Sequence, residues 1–202
     1  MSTFSLEGSI GSGKSYLLNL LNRHQISSFT EPLEDWTNYH SENILHKYYN
    51  NPSKYSFSFQ TLVQLSMVKI YTNLKNLDSS KSFVVERSLD SAIFVFNELN
   101  YKYNNLEKVE YFLLQDLYKT LTANLPQLKP DFYIYLKTEP EVCFTRICNR
   151  GRPEEKYITL NFIEQISELH DRWLENQTNV FVITNNTGKE LENCLNFMKS
   201  KI

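Results

Sequence analysis

The chain has 202 residues, of which 41% are hydrophobic, and its acidic and basic residues are interspersed to a formal net charge of −2. This length and composition predict a single domain over residues 1–202 with one core. A nucleic-acid polymer binds a basic surface, and a membrane span needs about 20 consecutive apolar residues. The sequence has neither feature, which argues against both kinds of partner. The first predicted strand begins at Thr3 and leaves no room for a targeting peptide, so a cytoplasmic location is expected, with the nucleus as an alternative.

Strand and helix patterns alternate along the chain. Short apolar runs predict strands at residues 3–6, 26–30, 82–85, 131–136 and 180–184. Apolar residues at helical spacing predict helices at residues 14–24, 56–77, 106–124, 139–149, 160–176 and 189–200. This order predicts an α/β fold in which a five-stranded parallel sheet is flanked by helices on both faces. Ligands of such sheets bind beyond the carboxyl ends of the strands, so the residues that follow each strand are the candidates for function.

A glycine-rich motif follows the first predicted strand directly. Residues 8–15 match G-x-x-x-x-G-K-[ST] at every fixed position and lie between a strand and a helix, as a phosphate-binding loop does. Glycine permits the backbone conformation in which N–H groups bind phosphate oxygens. Lys14 is expected to reach the β- and γ-phosphates of ATP, and the Ser15 hydroxyl is expected to bind Mg²⁺. The predicted ATP-binding residues of the loop are Gly8, Ser9, Ile10, Gly11, Ser12, Gly13, Lys14 and Ser15.

Carboxylates follow the second and third predicted strands. Glu31 is a candidate base that orients and deprotonates a hydroxyl group, although a glutamate at a strand end, taken alone, is more often a capping or solvated residue. Glu86 is a candidate ligand of Mg²⁺, directly or through water. Arg87 is expected to pair with Glu31 or with a phosphoryl oxygen, or else to form a structural ion pair.

Residues 146–156 form a basic segment after the fourth strand and its helix. Gly151 and Pro153 are expected to end that helix, which makes the segment a candidate lid. Guanidinium groups bind phosphate oxygens bidentately and stabilise a phosphoryl group in transfer. The alternative is a solvated charged turn neutralised by its own glutamates. The arginines of this segment are Arg146, Arg150 and Arg152.

Several motifs in one order resemble the animal-type deoxyribonucleoside kinase family. The resemblance covers residues 4–173 approximately, and it is carried by EGSIGSGKS at 7–15, EPLEDW at 31–36, FQ at 59–60, ERS at 86–88, RGRPEE at 150–155 and LHDRWL at 169–174. It implies a P-loop kinase fold with an arginine-rich lid. It also implies transfer of a phosphoryl group from ATP, with Mg²⁺ as the cofactor, to the 5′-hydroxyl of a deoxyribonucleoside.

The resemblance also implies individual roles. Glu31, Arg87 and Lys14 would be the catalytic residues. Arg146 would lie against adenine, while Arg150 and Arg152 would bind phosphates. The residues expected at the nucleoside are Glu31, Trp36, Leu45, Tyr49, Phe59, Gln60, Val63, Met67, Arg87, Ala92, Phe96 and Glu155. Among these, Gln60 would bind the base edge, Phe96 would stack on the base, and Tyr49 and Glu155 would hold the sugar 3′-hydroxyl.

The pocket positions Val63, Met67 and Ala92 are apolar and predict a pyrimidine kinase with thymidine at least as good a substrate as deoxycytidine. Ordinary core packing is the alternative explanation for the three residues. The resemblance further implies a homodimer through helices beside the sheet, for which residues 106–125 are the candidate face, although core packing explains the apolar residues of this segment equally well. Two other functions share the phosphate loop, namely a nucleoside monophosphate kinase and a nucleotide-dependent switch. The acidic segment 31–35 disfavours the first, and the lack of an Asn-Lys-x-Asp motif disfavours the second.

Overall fold

A computed structural model describes residues 2–74, 82–187 and residue 197. Five strands form one sheet in the order β2-β3-β1-β4-β5, and every neighbouring pair is parallel. The strands are β1 (Thr3–Glu7), β2 (Ser27–Phe29), β3 (Phe83–Glu86), β4 (Phe132–Lys137) and β5 (Val180–Thr184). The predicted five-stranded parallel sheet is therefore confirmed, and no end of a strand differs from its predicted position by more than one residue.

Helices connect the strands. The α-helices are α1 (Lys14–Arg23), α2 (Leu33–Thr37), α3 (Ile44–Asn50), α4 (Pro52–Leu74), α5 (Leu89–Ser91), α6 (Glu98–Lys102), α7 (Lys108–Asn124), α8 (Pro140–Arg150) and α9 (Leu160–Leu174). A π-helix, Ala92–Asn97, joins α5 to α6, and two 3₁₀-helices occupy Pro126–Leu128 and Pro153–Tyr157.

The long predicted helices are present where the structure describes the chain. The short helices of the structure were not predicted. α4 begins four residues earlier than expected because Pro52 suits a first helical turn, and the expected end at residue 77 lies outside the described residues. The predicted helix at 189–200 also lies outside them, apart from Phe197, which is helical and stacks on Phe181. α2 and α3 have five and seven residues, which is too short for a helical period to be recognised in the sequence.

Alternate residues of the strands pack on the two faces of the sheet. Leu17, Leu18 and Leu21 of α1 pack with the side chains that β1, β3 and β4 direct to one face, namely Phe4, Leu6, Val84, Ile134 and Leu136. The opposite face carries Phe83 and Val85, which pack with α4, and Tyr133 and Tyr135, which pack with α9. This face also carries two polar residues of β1, Ser5 and Glu7, and both are fully buried.

The strand order places a crevice above β1. The connection from β1 crosses β3 to reach β2. The connections from β3 to β4 and from β4 to β5 run across the sheet in the opposite direction. Right-handed crossovers in opposite directions put the following helices on opposite faces of the sheet. The loops that follow β1 and its neighbours therefore separate, and a ligand can bind between them.

Within the part of the chain that the structure describes, no helix has the length and apolar character that crossing a bilayer requires.

Candidate active site

The phosphate-binding loop joins β1 to α1 in a conformation that depends on its glycines. Gly8, Gly11 and Gly13 have φ values of 139°, 83° and 103°, a region that side chains with a Cβ atom rarely adopt. Space is equally restrictive, since a Cβ atom on Gly11 would lie 2.4 Å from the backbone oxygen of Cys143 in α8. The glycine positions of the motif are thus required by the backbone itself and by its close approach to α8.

Lys14 folds back over this loop. Its Nζ donates hydrogen bonds to the backbone oxygens of Gly8 at 3.1 Å and Ser9 at 2.9 Å. Burial, together with the nearby guanidinium of Arg87, lowers the pKa of Lys14 to about 8. An anionic ligand beside Nζ would oppose that decrease, so the site favours a phosphate group on charge grounds.

Ser15 and Glu86 form an oxygen-rich pair at the start of α1 and the end of β3. The Ser15 hydroxyl lies 3.2 and 3.4 Å from the two carboxylate oxygens of Glu86. Among the described residues there is no group of three or more His, Cys, Asp or Glu that could hold a metal by itself. A hydroxyl and one carboxylate nevertheless fit Mg²⁺, which binds few protein oxygens and completes its shell with water and phosphate.

A cavity of about 270 Å³ opens at the carboxyl ends of the strands. Every residue that the sequence analysis placed at the nucleoside lines this cavity, as do the three arginines of the basic segment and Lys14, Ser15 and Glu86. Gly8, Ser9 and Ser12 of the loop are buried and do not line the cavity. The structure therefore brings the predicted donor and acceptor residues to one space, while their individual roles remain predictions.

Glu31 and Arg87 form an ion pair on the wall of the cavity. The Arg87 Nε lies 2.8 Å from Glu31 Oε1, and the exposed fractions of the two side chains are 5% and 17%. The Arg87 guanidinium also stacks over the ring of Phe96, 4.8 Å from its centroid. Burial raises the pKa of Glu31, and the positive charge of Arg87 opposes this rise.

One part of the cavity is an aromatic slot that also contains an amide side chain. Phe59 has Tyr48 stacked on it at 4.7 Å and Trp36 edge-on at 5.5 Å, measured between ring centroids. The Trp36 Nε1 donates to Ser66 Oγ at 3.0 Å, which fixes the indole. Gln60 lies in this slot, and its buried Oε1 has no hydrogen-bond partner among the described residues. An unpaired buried acceptor calls for a donor on a ligand.

The deep end of the slot is apolar. Val63 and Met67 of α4 and Ala92, the first residue of the π-helix, are all buried. The π-helix also carries Phe96, so it supplies one small residue and one aromatic residue to the same cavity. Wider π-turns recur at functional sites in helices.

The basic segment begins in α8, which ends at Gly151 as predicted, and the expected loop is in part the 3₁₀-helix Pro153–Tyr157. Arg146 and Arg150 belong to the last turns of α8, and the chain leaves the helix only at Gly151, which has φ 64°. Glu155 binds both outer arginines: Arg150 Nη2 donates to its Oε1 at 2.6 Å and Arg150 Nε to its Oε2 at 3.2 Å, while Arg152 Nη1 lies 3.4 Å from Oε1.

Arg146 has a different role from its two neighbours in the structure. Its guanidinium donates to the backbone oxygens of Gly11 and Ser12 in the phosphate loop, and of Asn185 and Asn186 after β5. It therefore links the phosphate loop to the segment that follows β5.

Some cavity residues were not predicted. Tyr48 and Leu33 belong to the unpredicted helices α3 and α2, and Ser91 belongs to the short α5. Tyr48 adjoins the predicted Tyr49, so its position in the sequence was the only signal available. Tyr16 follows the phosphate-loop motif and Ser88 is the last residue of the ERS motif, so both could have been included on that ground.

The effect of Arg87 on the pKa of Glu31 can be tested without any substrate. The Glu31 carboxyl is expected to titrate above the ordinary glutamate range because burial disfavours its charged form. Arg87→Met removes the charge that opposes this rise, so the pKa of Glu31 is expected to increase further. Carbon-13 NMR of labelled glutamate side chains measures it, with Glu31→Gln to assign the signal. Arg172→Met removes a surface guanidinium paired with Glu168 and is the control; an unchanged pKa in Arg87→Met would contradict the assignment.

Comparison with known proteins yields one family. The family model described as deoxynucleoside kinase matches residues 4–200. Similar proteins include human mitochondrial thymidine kinase 2, 34% identical over 174 residues, which cover 86% of this chain and 64% of that protein. Mitochondrial deoxyguanosine kinase of Xenopus laevis is 33% identical over 220 aligned positions, which cover 94% of this chain and 82% of that protein. Deoxycytidine kinase 2 of Gallus gallus is 30% identical, with 86% and 74% covered.

The chain spans 64% of the length of the human protein. The family model nevertheless covers nearly the whole chain, and it includes both the phosphate loop and the basic segment. The chain belongs to the deoxynucleoside kinase family and has its P-loop kinase fold.

Proposed function

We propose that the protein transfers the γ-phosphoryl group of ATP to the 5′-hydroxyl of a deoxyribonucleoside, with Mg²⁺ as cofactor. The observation that carries this proposal is the Glu31–Arg87 pair, which lies on the wall of the same cavity as the phosphate loop. A carboxylate there would face a hydroxyl acceptor on one side and the phosphate donor on the other. The names of the relatives, which specify thymidine, deoxyguanosine and deoxycytidine, support a nucleoside acceptor without selecting one.

Each group of the cavity has a chemical task under this proposal. Glu31 accepts the proton of the 5′-hydroxyl as the oxygen attacks phosphorus, and Arg87 holds the carboxylate in place. Lys14 and the backbone N–H groups of the loop bind the phosphates of ATP. Ser15 and Glu86 would hold Mg²⁺, which neutralises charge on the β- and γ-phosphate oxygens when bound.

The outer arginines would exchange partners when ATP binds. Arg150 and Arg152 are neutralised by Glu155 in the structure, and phosphate oxygens offer the same bidentate acceptors. Their transfer to the phosphates would free Glu155, which together with Tyr49 would bind the sugar 3′-hydroxyl. Burial raises the pKa of the Tyr49 phenol, which keeps it a hydrogen-bond donor at neutral pH.

The aromatic slot suits a nucleobase, and its deep end favours a pyrimidine. Phe96 and Phe59 offer ring faces and edges, and the unpaired oxygen of Gln60 accepts an N–H of the base. Val63, Met67 and Ala92 leave an apolar recess into which the 5-methyl group of thymine would fit. Burial of one such carbon contributes about 0.8 kcal/mol, so thymidine is proposed as a substrate at least as good as deoxycytidine.

Self-association through α4 and α7 is the proposed assembly. These neighbouring helices are joined by a hydrogen bond from Gln64 Nε2 to the backbone oxygen of Leu114, and they carry a group of large exposed apolar side chains. The members of this group are Leu65, Val109, Phe112 and Leu113, with exposed fractions between 46% and 59%. Monomeric proteins seldom expose such a group, and a second copy of the chain would cover it.

The reaction is tested by ATP turnover with each of the four natural deoxynucleosides and with a nucleoside monophosphate. Turnover is expected only with a nucleoside present. Glu31→Gln keeps the shape but cannot accept a proton, so kcat is expected to fall by at least ~10², while nucleoside affinity changes little. Glu34→Gln, an exposed carboxylate in α2, is the control. Turnover within a few-fold of wild type in Glu31→Gln, or a preference for the monophosphate, would contradict the proposal.

The base preference is tested with the double variant Met67→Arg/Ala92→Asp. This pair fills the recess with groups that need hydrogen-bond partners, which a methyl group cannot supply. The kcat/KM for thymidine is expected to fall much more than that for deoxycytidine. Thr72→Arg, an exposed position of α4, controls for added charge on the helix. Equal losses on both substrates, or a wild type that prefers deoxyguanosine, would show that the three apolar residues do not select the base.

Assembly is tested by sedimentation equilibrium of the wild type and of Leu113→Asp. A charge at the centre of the apolar group is expected to shift a dimer to a monomer, because the interface would bury it unpaired. Tyr39→Asp places the same charge at an exposed hydrophobic residue outside this group and should leave the dimer intact. A monomeric wild type would contradict the proposed assembly.

A further inference from the structure

Glu7, the last residue of β1, binds the turn that follows β3. Its Oε1 accepts three hydrogen bonds: from Ser5 Oγ at 2.6 Å, from the Ser88 backbone N–H at 2.9 Å and from Ser88 Oγ at 2.6 Å. The side chain is fully buried and is not on the wall of the cavity. Burial of a carboxylate costs free energy of folding. Two of the three hydrogen bonds that compensate this cost at Oε1 come from one residue, Ser88.

The turn held by Glu7 has an unfavourable backbone. Arg87 has φ 67°, the left-handed region that a residue with a long side chain seldom adopts. Two hydrogen bonds to β1 hold it there, one from the Arg87 N–H to the Leu6 oxygen at 3.0 Å and one from the Ser88 N–H to Glu7. This conformation turns the Arg87 side chain off the strand direction and toward Glu31.

His170 of α9 contacts the other end of Arg87. Its Nδ1 lies 2.8 Å from the backbone oxygen of Ile166, so this nitrogen carries the proton and donates. Nε2 is then an acceptor, and Arg87 Nη1 donates to it at 3.4 Å. The ring is fully buried and stacks on Tyr135 at 5.9 Å between centroids with an interplanar angle of 9°. Burial, with the nearby charge of Arg87, lowers the pKa of His170, which agrees with a neutral acceptor.

We propose that Glu7 and His170 are positioning residues that hold Arg87 against Glu31. Glu7 fixes the backbone of Arg87 through Ser88, and His170 fixes its guanidinium. The inference rests on the proposed function, in which Glu31 is the base. Neither residue touches the cavity, so each acts through Arg87. Misplacement of a catalytic group by about 1 Å can cost ~10² in rate, and the loss should appear in kcat rather than in KM.

Variants of Glu7 distinguish the effect of its side-chain length from the effect of its charge. Glu7→Gln keeps the length and an acceptor oxygen, so kcat is expected to stay within a few-fold of wild type. Glu7→Asp keeps the charge but is one methylene shorter, and Glu7→Ala removes the acceptor, so both are expected to lose ~10- to 100-fold in kcat with KM values nearly unchanged. Ser5→Ala removes one donor to Glu7 Oε1 and leaves both hydrogen bonds from Ser88 in place. It is the control, and its activity is expected to be near that of the wild type.

His170 is tested in the same way. His170→Gln places an amide oxygen near the position of Nε2 and is expected to retain most of kcat. His170→Asn is too short to reach Arg87, although it can still donate to the Ile166 oxygen, and is expected to lose ~10-fold. Equal kcat in these two variants, or Glu7→Asp more active than Glu7→Gln, would overturn the proposal.

Hydrogen exchange of a peptide spanning residues 84–90 tests the Glu7 contact without substrate. Loss of the acceptor is expected to increase exchange in Glu7→Ala and Glu7→Asp but not in Glu7→Gln or Ser5→Ala. Unchanged exchange in all four variants would overturn the proposal. If the wild type does not phosphorylate nucleosides but the exchange pattern is as expected, the proposed function fails and the contact between Glu7 and the turn stands. If Glu7→Ala does not fold, Glu7→Asp provides the same comparison.

Discussion

The buried guanidinium of Arg87 is the interaction on which the acceptor side of the cavity depends. Carboxylates that follow β2 and lie at the ends of β1 and β3 converge at the same edge of the sheet, and burial alone would raise the pKa values of Glu31 and Glu7. Arg87 opposes both rises while it pairs with Glu31. The same side chain contacts Phe96 of the π-helix and His170 of α9. The Arg87 guanidinium, at the end of β3, thus connects the segment after β2 with the π-helix and with α9.

Much of the site was predictable because it follows strand ends. The match at residues 8–15 fixed the start of α1, and the alternation of strands and helices placed Glu31, Glu86 and Arg87 at one edge of a parallel sheet. The residues expected at the nucleoside came from motif resemblance rather than from periodicity, and they converge on one cavity. Helical spacing in α4 then accounts for Gln60, Val63 and Met67 on the face that reaches it.

The remainder depends on contacts between residues distant in the chain. Glu7 meets Ser88 across 81 positions, and Arg87 meets His170 across 83; no local pattern signals either contact. The bond between Glu155 and Arg150 matches the alternative in which the glutamates of this segment neutralise its arginines, whereas the resemblance gave the two residues separate ligands. Residues 89–102 fold as an α–π–α segment, and its mixed period hides it from a search for 3.6-residue spacing.

The close approach of Gly11 to α8 determines how the donor side can respond to a nucleotide. Besides that contact, the Ser12 backbone oxygen accepts hydrogen bonds from Asn185, Arg146 and Thr138. These contacts hold the loop in its conformation without a bound phosphate. A preformed loop leaves little conformational entropy to be lost on binding. Arg150 is the last residue of the same helix, whereas Arg152 lies beyond Gly151. The two arginines are therefore unequal: the backbone of Arg150 belongs to the helix that contacts the donor loop, and that of Arg152 follows the left-handed turn at Gly151.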